Sequence, residues 1–411
     1  MLIHKVIMES PLESITNSLS ELISDQSLNA TNPTLKKELE NILIQISSNN
    51  DLYGPSANQI SNQVDLNPIA RSLLKTYSNN DLMVHKTSNH CTLFNLNKEI
   101  EHLKVWGYDP FNHSDEQLIS MLQSMFMYYQ MPEKLKISDI KLNQFIIHVR
   151  QLYHSHSYHN FYHAFDVTQT IFTYLTTFGF GKHLTHLDII ALLLSGLCHD
   201  LNHPGYNNAF LVNTFDPLAI QYNDKSVLEN HHIQLMWTLL DQFQFLKNLK
   251  WDEKKEFRTS IINSIIATDM SLHFPLVTKL KQKVTEQKMN QFKYINSTSQ
   301  DRQFLMELIL HAADISNIAK PWDISKLWCE RIGHESFLQG KKEVELGIPT
   351  TDWMDESKTT VAKNSLNFMI YIGEPFFSQM VELFPQTKSC LDHLQENIRT
   401  WNNISNLETT K

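Results

Sequence analysis

From about residue 105 onward, apolar residues recur at steps of three and four, which places them on one face of a helix. The pattern predicts helices over 117–127, 140–152, 167–178, 187–197, 232–240, 257–267, 304–313, 326–337 and 361–372. Pro, Gly, Asn and Asp fill the gaps. No alternating run enriched in β-branched residues calls for a sheet. The reading is an all-α chain with one helical domain over 105–400 and a short tail at 401–411. Residues 1–104 differ: 14 Asn and 13 Ser fall in the first hundred positions. This stretch reads as an Asn/Ser-rich extension, partly helical (35–46 and 68–77) and otherwise disordered.

Composition supports the helical reading. The chain has only 10 Gly and 13 Pro in 411 residues, and both residues disfavour helix interiors. A formal charge of −9 argues against a nucleic-acid binder, which needs cations to displace counterions. Bound metal would still allow an anionic substrate. Cys91, Cys198, Cys329 and Cys390 are far apart and form no CxxC pair, as expected of reduced thiols. The most apolar stretch, 187–198, is too short to span a bilayer core of about 30 Å, and the N-terminus does not read as a secretory leader. A cytoplasmic protein without a membrane span is expected.

Ten of the 20 histidines fall between His154 and His232. His159 and His163 are four apart, on one face if helical. His199 and Asp200 close the apolar 187–198 run, and Asp314 closes another. A carboxylate after so apolar a run is costly unless a cation meets it. His163, His199, Asp200 and Asp314 are therefore candidate ligands of a shared metal. The set is too rich in oxygen for a structural zinc and suits a catalytic site with open positions. A second, harder ion such as Mg²⁺ needs few protein ligands, and Asp200 has two oxygens with which to bridge. Two such ions activate water for attack on phosphorus.

The ordered motifs HNFYHAFDV, HDLNHPGYNN, YNDKSVLENHH, ATDM and HAADISN resemble those of the class I 3′,5′-cyclic-nucleotide phosphodiesterases, over about 106–384. The resemblance implies a compact multi-helix bundle with a binuclear metal site in a deep pocket. It implies Zn, held by His163, His199, Asp200 and Asp314, and Mg (or Mn) on Asp200 and waters, with His203, His232, Thr268 and Asp269 around those waters. His159 matches the acid that protonates the O3′ leaving group, and Glu229 the carboxylate that orients it. For the substrate, Phe368 and Ile332 match the residues that sandwich the purine, and Tyr158 and Asn317 are further pocket candidates. Ser365 falls where the family carries a purine-gripping glutamine; a hydroxyl cannot make the same paired contact, so Asn364 and Asn367 are candidate substitutes. Asn202 stands where many members have Asp and is expected to tune the second ion's surroundings. The implied activity is hydrolysis of cAMP or cGMP, with preference open, by a chain that could form a homodimer. A broader HD-type nucleotide phosphohydrolase and an inactive nucleotide-binding scaffold are the alternatives.

Overall fold

A computed structural model describes residues 100–290 and 298–409. The extension, apart from its last five residues, and the expected helices at 35–46 and 68–77 lie outside this range. The described residues contain helices and loops and no strand. Their α-helices run in order as α1 (Asp115–Tyr128), α2 (Met131–Leu135), α3 (Asp139–Leu152), α4 (Phe161–Thr176), α5 (His186–Cys198), α6 (Asn208–Asn213), α7 (Pro217–Gln221) and α8 (Val227–Gln242). Then follow α9 (Trp251–Ile266), α10 (His273–Asn290), α11 (Ser299–Asp314), α12 (Trp322–Leu346), α13 (Val361–Phe368), α14 (Glu374–Leu383) and α15 (Lys388–Thr409).

The centre of the bundle is α5. Every residue from Asp188 to Cys198 is buried, and each Leu or Ile so removed from water contributes about 1.5–3 kcal/mol. Helices α4, α9 and α11 pack around it. Thr185 and Asp188 fix its start by exchanging side-chain and backbone bonds in a capping box. Gly196 allows the close crossing with α4: a Cβ there would lie 2.4 Å from Ile171 Cδ1. The α4, α5 and α11 termini that carry candidate ligands are thereby brought to one end of the bundle.

Three expectations are corrected. His159 is not on a helix, because Asn160 caps α4 and the helix starts at Phe161. The domain reaches back past 105, since Ile100 and Leu103 are buried in the core. The stretch from 401 is not a tail: α15 continues to Thr409, and Trp401 is buried with its ring edge-on to Trp322, centroids 5.1 Å apart. No helix among the described residues is long and apolar enough to cross a membrane.

Candidate metal centre and acid

Asn160 begins the construction. Its side-chain oxygen accepts from the Tyr162 and His163 backbone N–H groups, and its amide donates to His156 O. This cap places His163 in the first turn of α4. Sequence reading missed Asn160, although an Asn directly before an apolar helical run is a start signal. His199 sits at the end of α5, and its Nδ1 donates to Gly196 O at 2.9 Å. A carbonyl only accepts, so Nδ1 carries a proton and Nε2 is the nitrogen turned toward the carboxylates. Asp314 is the last residue of α11.

His163, His199, Asp200 and Asp314 converge. The two Nε2 atoms are 3.3 Å apart. His163 Nε2 lies 3.1 Å from Asp314 Oδ1 and 3.5 Å from Asp200 Oδ2, and His199 Nε2 lies 3.3 and 3.1 Å from the same atoms. Ligands about 2.1 Å from one ion stand roughly 2.9 Å apart in octahedral and 3.4 Å apart in tetrahedral geometry. Four of the five spacings fall in that range and the fifth, 3.5 Å, lies just above it, so the donor set fits a single ion. The charges agree. Despite burial, which opposes charge, Asp200 and Asp314 hold the His199 pKa well above its usual value, and both carboxylates are held well below theirs by the imidazoles. The centre calls for positive charge. Asp200 and Asp314 keep 12% and 19% side-chain exposure against 0% and 1% for His163 and His199, so the carboxylate side faces solvent.

Beyond these four, His232 donates from Nδ1 to Leu201 O and turns a buried, unpartnered Nε2 toward Asp200 Oδ1, 3.7 Å away. That orphaned atom suits a bridging water. Thr268 donates to Ile265 O, and Asp269 accepts from Ser226 Oγ and from the Ser271 backbone. Asn202 adopts a left-handed backbone (φ 61°) that turns the chain after Asp200 back toward the site. Its amide bridges His154 Nε2 and His231 Nε2, at 2.9 and 3.1 Å.

The expected partner of His159 is corrected. Glu335, not Glu229, bonds His159 Nδ1, and the other Glu335 oxygen accepts from the Tyr158 and His159 backbone N–H groups. Glu229 instead accepts twice from Asn208, and burial, with help from Asp269, pushes its pKa up to about 7. Burial alone would discharge His159, but Glu335, then Asp200 and Asp314, raise its pKa to about 9. Glu335 falls correspondingly to about 2 against its own burial. His203 is a third member: its Nδ1 accepts from the Gly205 N–H, leaving the ring neutral over His159. His159, His203 and Glu335 are close enough to suggest another ion site, but Glu335 already bonds His159 Nδ1 and the Gly205 N–H already occupies His203 Nδ1.

Tyr158, whose ring lies 4.6 Å from that of His163, is buried and bonded to the buried Asn317, and Ile332 and Phe368 are half-buried. Ser365 is buried beside Cys329, whose thiol burial pushes to about 11. Asn364 is already engaged at both ends: Nδ2 donates to Trp353 O and Oδ1 accepts from Thr359. Asn367 is exposed.

The family model described as 3′5′-cyclic nucleotide phosphodiesterase matches residues 158–394. The chain is 37% identical over 403 residues to 3′,5′-cyclic-nucleotide phosphodiesterase regA of Dictyostelium discoideum, covering 97% of this chain and 50% of that protein. It is 33% identical over 315 residues to 3′,5′-cyclic-AMP phosphodiesterase 4C of Mus musculus, covering 74% and 46%. The chain thus spans half or less of the length of these relatives. Among solved structures, the phosphodiesterase domain of the RhoPDE fusion protein from Salpingoeca rosetta superposes with a TM-score of 0.71 at 31% identity, covering 75% of this chain and 97% of that one. A family match over more than half the sequence, on the segment that carries the converging histidines and aspartates, makes this chain a member of the 3′,5′-cyclic nucleotide phosphodiesterase family.

Proposed function

We propose that the chain hydrolyses a 3′,5′-cyclic nucleotide to the nucleoside 5′-monophosphate, with divalent ions, Zn and Mg, held at His163, His199, Asp200 and Asp314. The observation that carries this reading is the set of 3.1–3.5 Å donor spacings beside a histidine held in its protonated form. Bound ions supply an activated water and neutralise the phosphate.

The protein groups do the rest. His159 Nδ1 is taken by Glu335, so the transferable proton is the one on Nε2. As water oxygen bonds to phosphorus, the P–O3′ bond breaks and its electrons go to O3′, which takes that proton, and the proton the water sheds restores His159. A sugar alkoxide leaves poorly, and a positioned acid accelerates such a step by about 10²–10⁴. Glu335 keeps the ring aimed and charged, and His203 covers its face. Ile332 and Phe368 offer apolar surfaces for the base, with Tyr158 and Asn317 nearby. His203, His232, Thr268 and Asp269 would face the waters of a second ion held at Asp200.

The test compares cAMP and cGMP hydrolysis by wild type, Asp314→Ala and His159→Asn, before and after chelation. Activity that persists after both chelation and Asp314→Ala overturns the metal reading.

A further inference from the structure

Asp314 is followed by a short 3₁₀ turn, Ile315–Ala319, and then by Lys320. This segment is fastened at several places outside the cluster. Lys320, fully buried, bonds through its ammonium to Asp166, which is 1% exposed and lies on α4 one turn beyond His163. Asn397, buried on α15, donates both amide hydrogens to this segment, to Ile318 O at 2.9 Å and Lys320 O at 2.8 Å. Between those carbonyls, Ala319 O accepts from Trp106 Nε1 at 2.9 Å.

A buried ion pair is a poor source of stability, because desolvation offsets its attraction and apolar residues of similar size replace it at little loss. What Lys320–Asp166 does supply is a fixed distance between two segments. One carries His163, three residues before Asp166, and the other carries Asp314, six residues before Lys320. Asn397 prevents the same segment from sliding along α4. An ion shared by His163 and Asp314 tolerates little change in their spacing, and the groups that orient ligands govern affinity strongly.

We propose that Lys320, Asp166 and Asn397 are positioning residues that hold Asp314 and His163 at the separation one divalent ion requires. The inference rests on the metal centre proposed above. None of the three touches the ion or substrate.

The experiment measures Zn²⁺ and Co²⁺ dissociation constants of the full chain by competition with a chromophoric chelator. Wild type is compared with Asn397→Ala, with the double variant Asp166→Leu/Lys320→Met, and with Met125→Ala, a core truncation in α1. Circular dichroism and melting curves report folding. The expected result is affinity about 10–100-fold weaker in Asn397→Ala and in the double variant, with activity recovered at raised metal concentration. Met125→Ala lowers the melting temperature and leaves affinity within about twofold of wild type. Should the double variant not fold, Asn397→Ala together with Lys320→Arg, which retains the charge, decides the matter. Wild-type affinity in the folded variants, or equal weakening in Met125→Ala, overturns the proposal. Wild-type protein that binds neither ion sinks the metal centre itself, which is a different outcome.

Discussion

His203 lies flat on His159, with ring centroids 3.9 Å apart and planes 17° from parallel. One ring is held protonated by Glu335 and the other is held neutral, first by burial and then by the charge on His159. The charge on His159 opposes protonation of His203, so only one of the two stacked rings is a cation.

The first prediction separates two carboxylates. Glu335→Gln removes the main partner of His159, so its pKa falls from about 9 toward its ordinary 6.5. The alkaline limb of kcat, set by loss of the acid's proton, should move down in pH, with kcat at pH 8 reduced at least tenfold. Glu229→Gln should leave that limb in place. A pH–rate profile unchanged in Glu335→Gln counts against His159 as the acid.

The same pair governs stability. The folded His159 pKa is raised, so its contribution is complete below about 6.5 and fades as pH rises through about 9. The folded Glu335 pKa is depressed to about 2, so its contribution is complete above 4.5 and is lost as pH falls from 4.5 through about 2. The stability difference between wild type and Glu335→Gln should be greatest between about pH 4.5 and 6.5 and shrink by pH 10. Urea unfolding at three pH values measures it.

Gly196→Ala places a methyl 2.4 Å from Ile171 Cδ1 and 3.4 Å from Thr168 Cα. Overpacking of this kind costs about 1–3 kcal/mol. Because the α4–α5 crossing also sets the approach of His163 to His199, metal affinity should fall together with stability. A more stable variant with unchanged affinity would show that the crossing has slack.

Metal should stabilise the fold by mass action, by about 2.7 kcal/mol at a hundred times the dissociation constant. Zn²⁺ titration should therefore raise the melting temperature of wild type and not that of Asp314→Ala. Equal shifts in both proteins would place binding elsewhere.

Ser365→Gln introduces an amide where the chain now has a hydroxyl beside Cys329. Since Asn364 is committed to Trp353 and Thr359, that neighbouring amide does not compete with the new one. Cyclic-nucleotide KM should drop several-fold, and the cAMP-to-cGMP ratio of kcat/KM should shift. A flat response means that the base does not reach this position.

The helical fold is legible in the sequence because its main helices carry strong apolar stripes; α5 is apolar on every side. The apolar period starts α4 and α8 too late, since Asn160 and the left-handed Ser226 set their starts through backbone geometry rather than hydrophobicity. Helix α10 escapes the pattern because its exposed face is rich in Lys and Gln, which dilutes the period, whereas α15 carries an apolar stripe at Leu391, Leu394, Ile398 and Trp401 that the sequence reading passed over. The converging ligands are nameable from sequence, because core packing alone does not put acids and imidazoles at the ends of apolar runs. Glu335 is not. It lies mid-helix in α12 among ordinary polar residues, and only folding brings it 176 positions back to His159. The engagement of Asn364 is equally hidden, because it depends on the 351–360 loop, which leaves no periodic trace.

The unequal exposure of the cluster has a kinetic corollary. With both imidazoles walled in and both aspartates toward solvent, an ion leaves by the route a nucleotide would use to arrive. A nucleoside monophosphate seated over Asp200 and Asp314 should therefore act as a stopper, slowing metal stripping by a chelator in proportion to its occupancy.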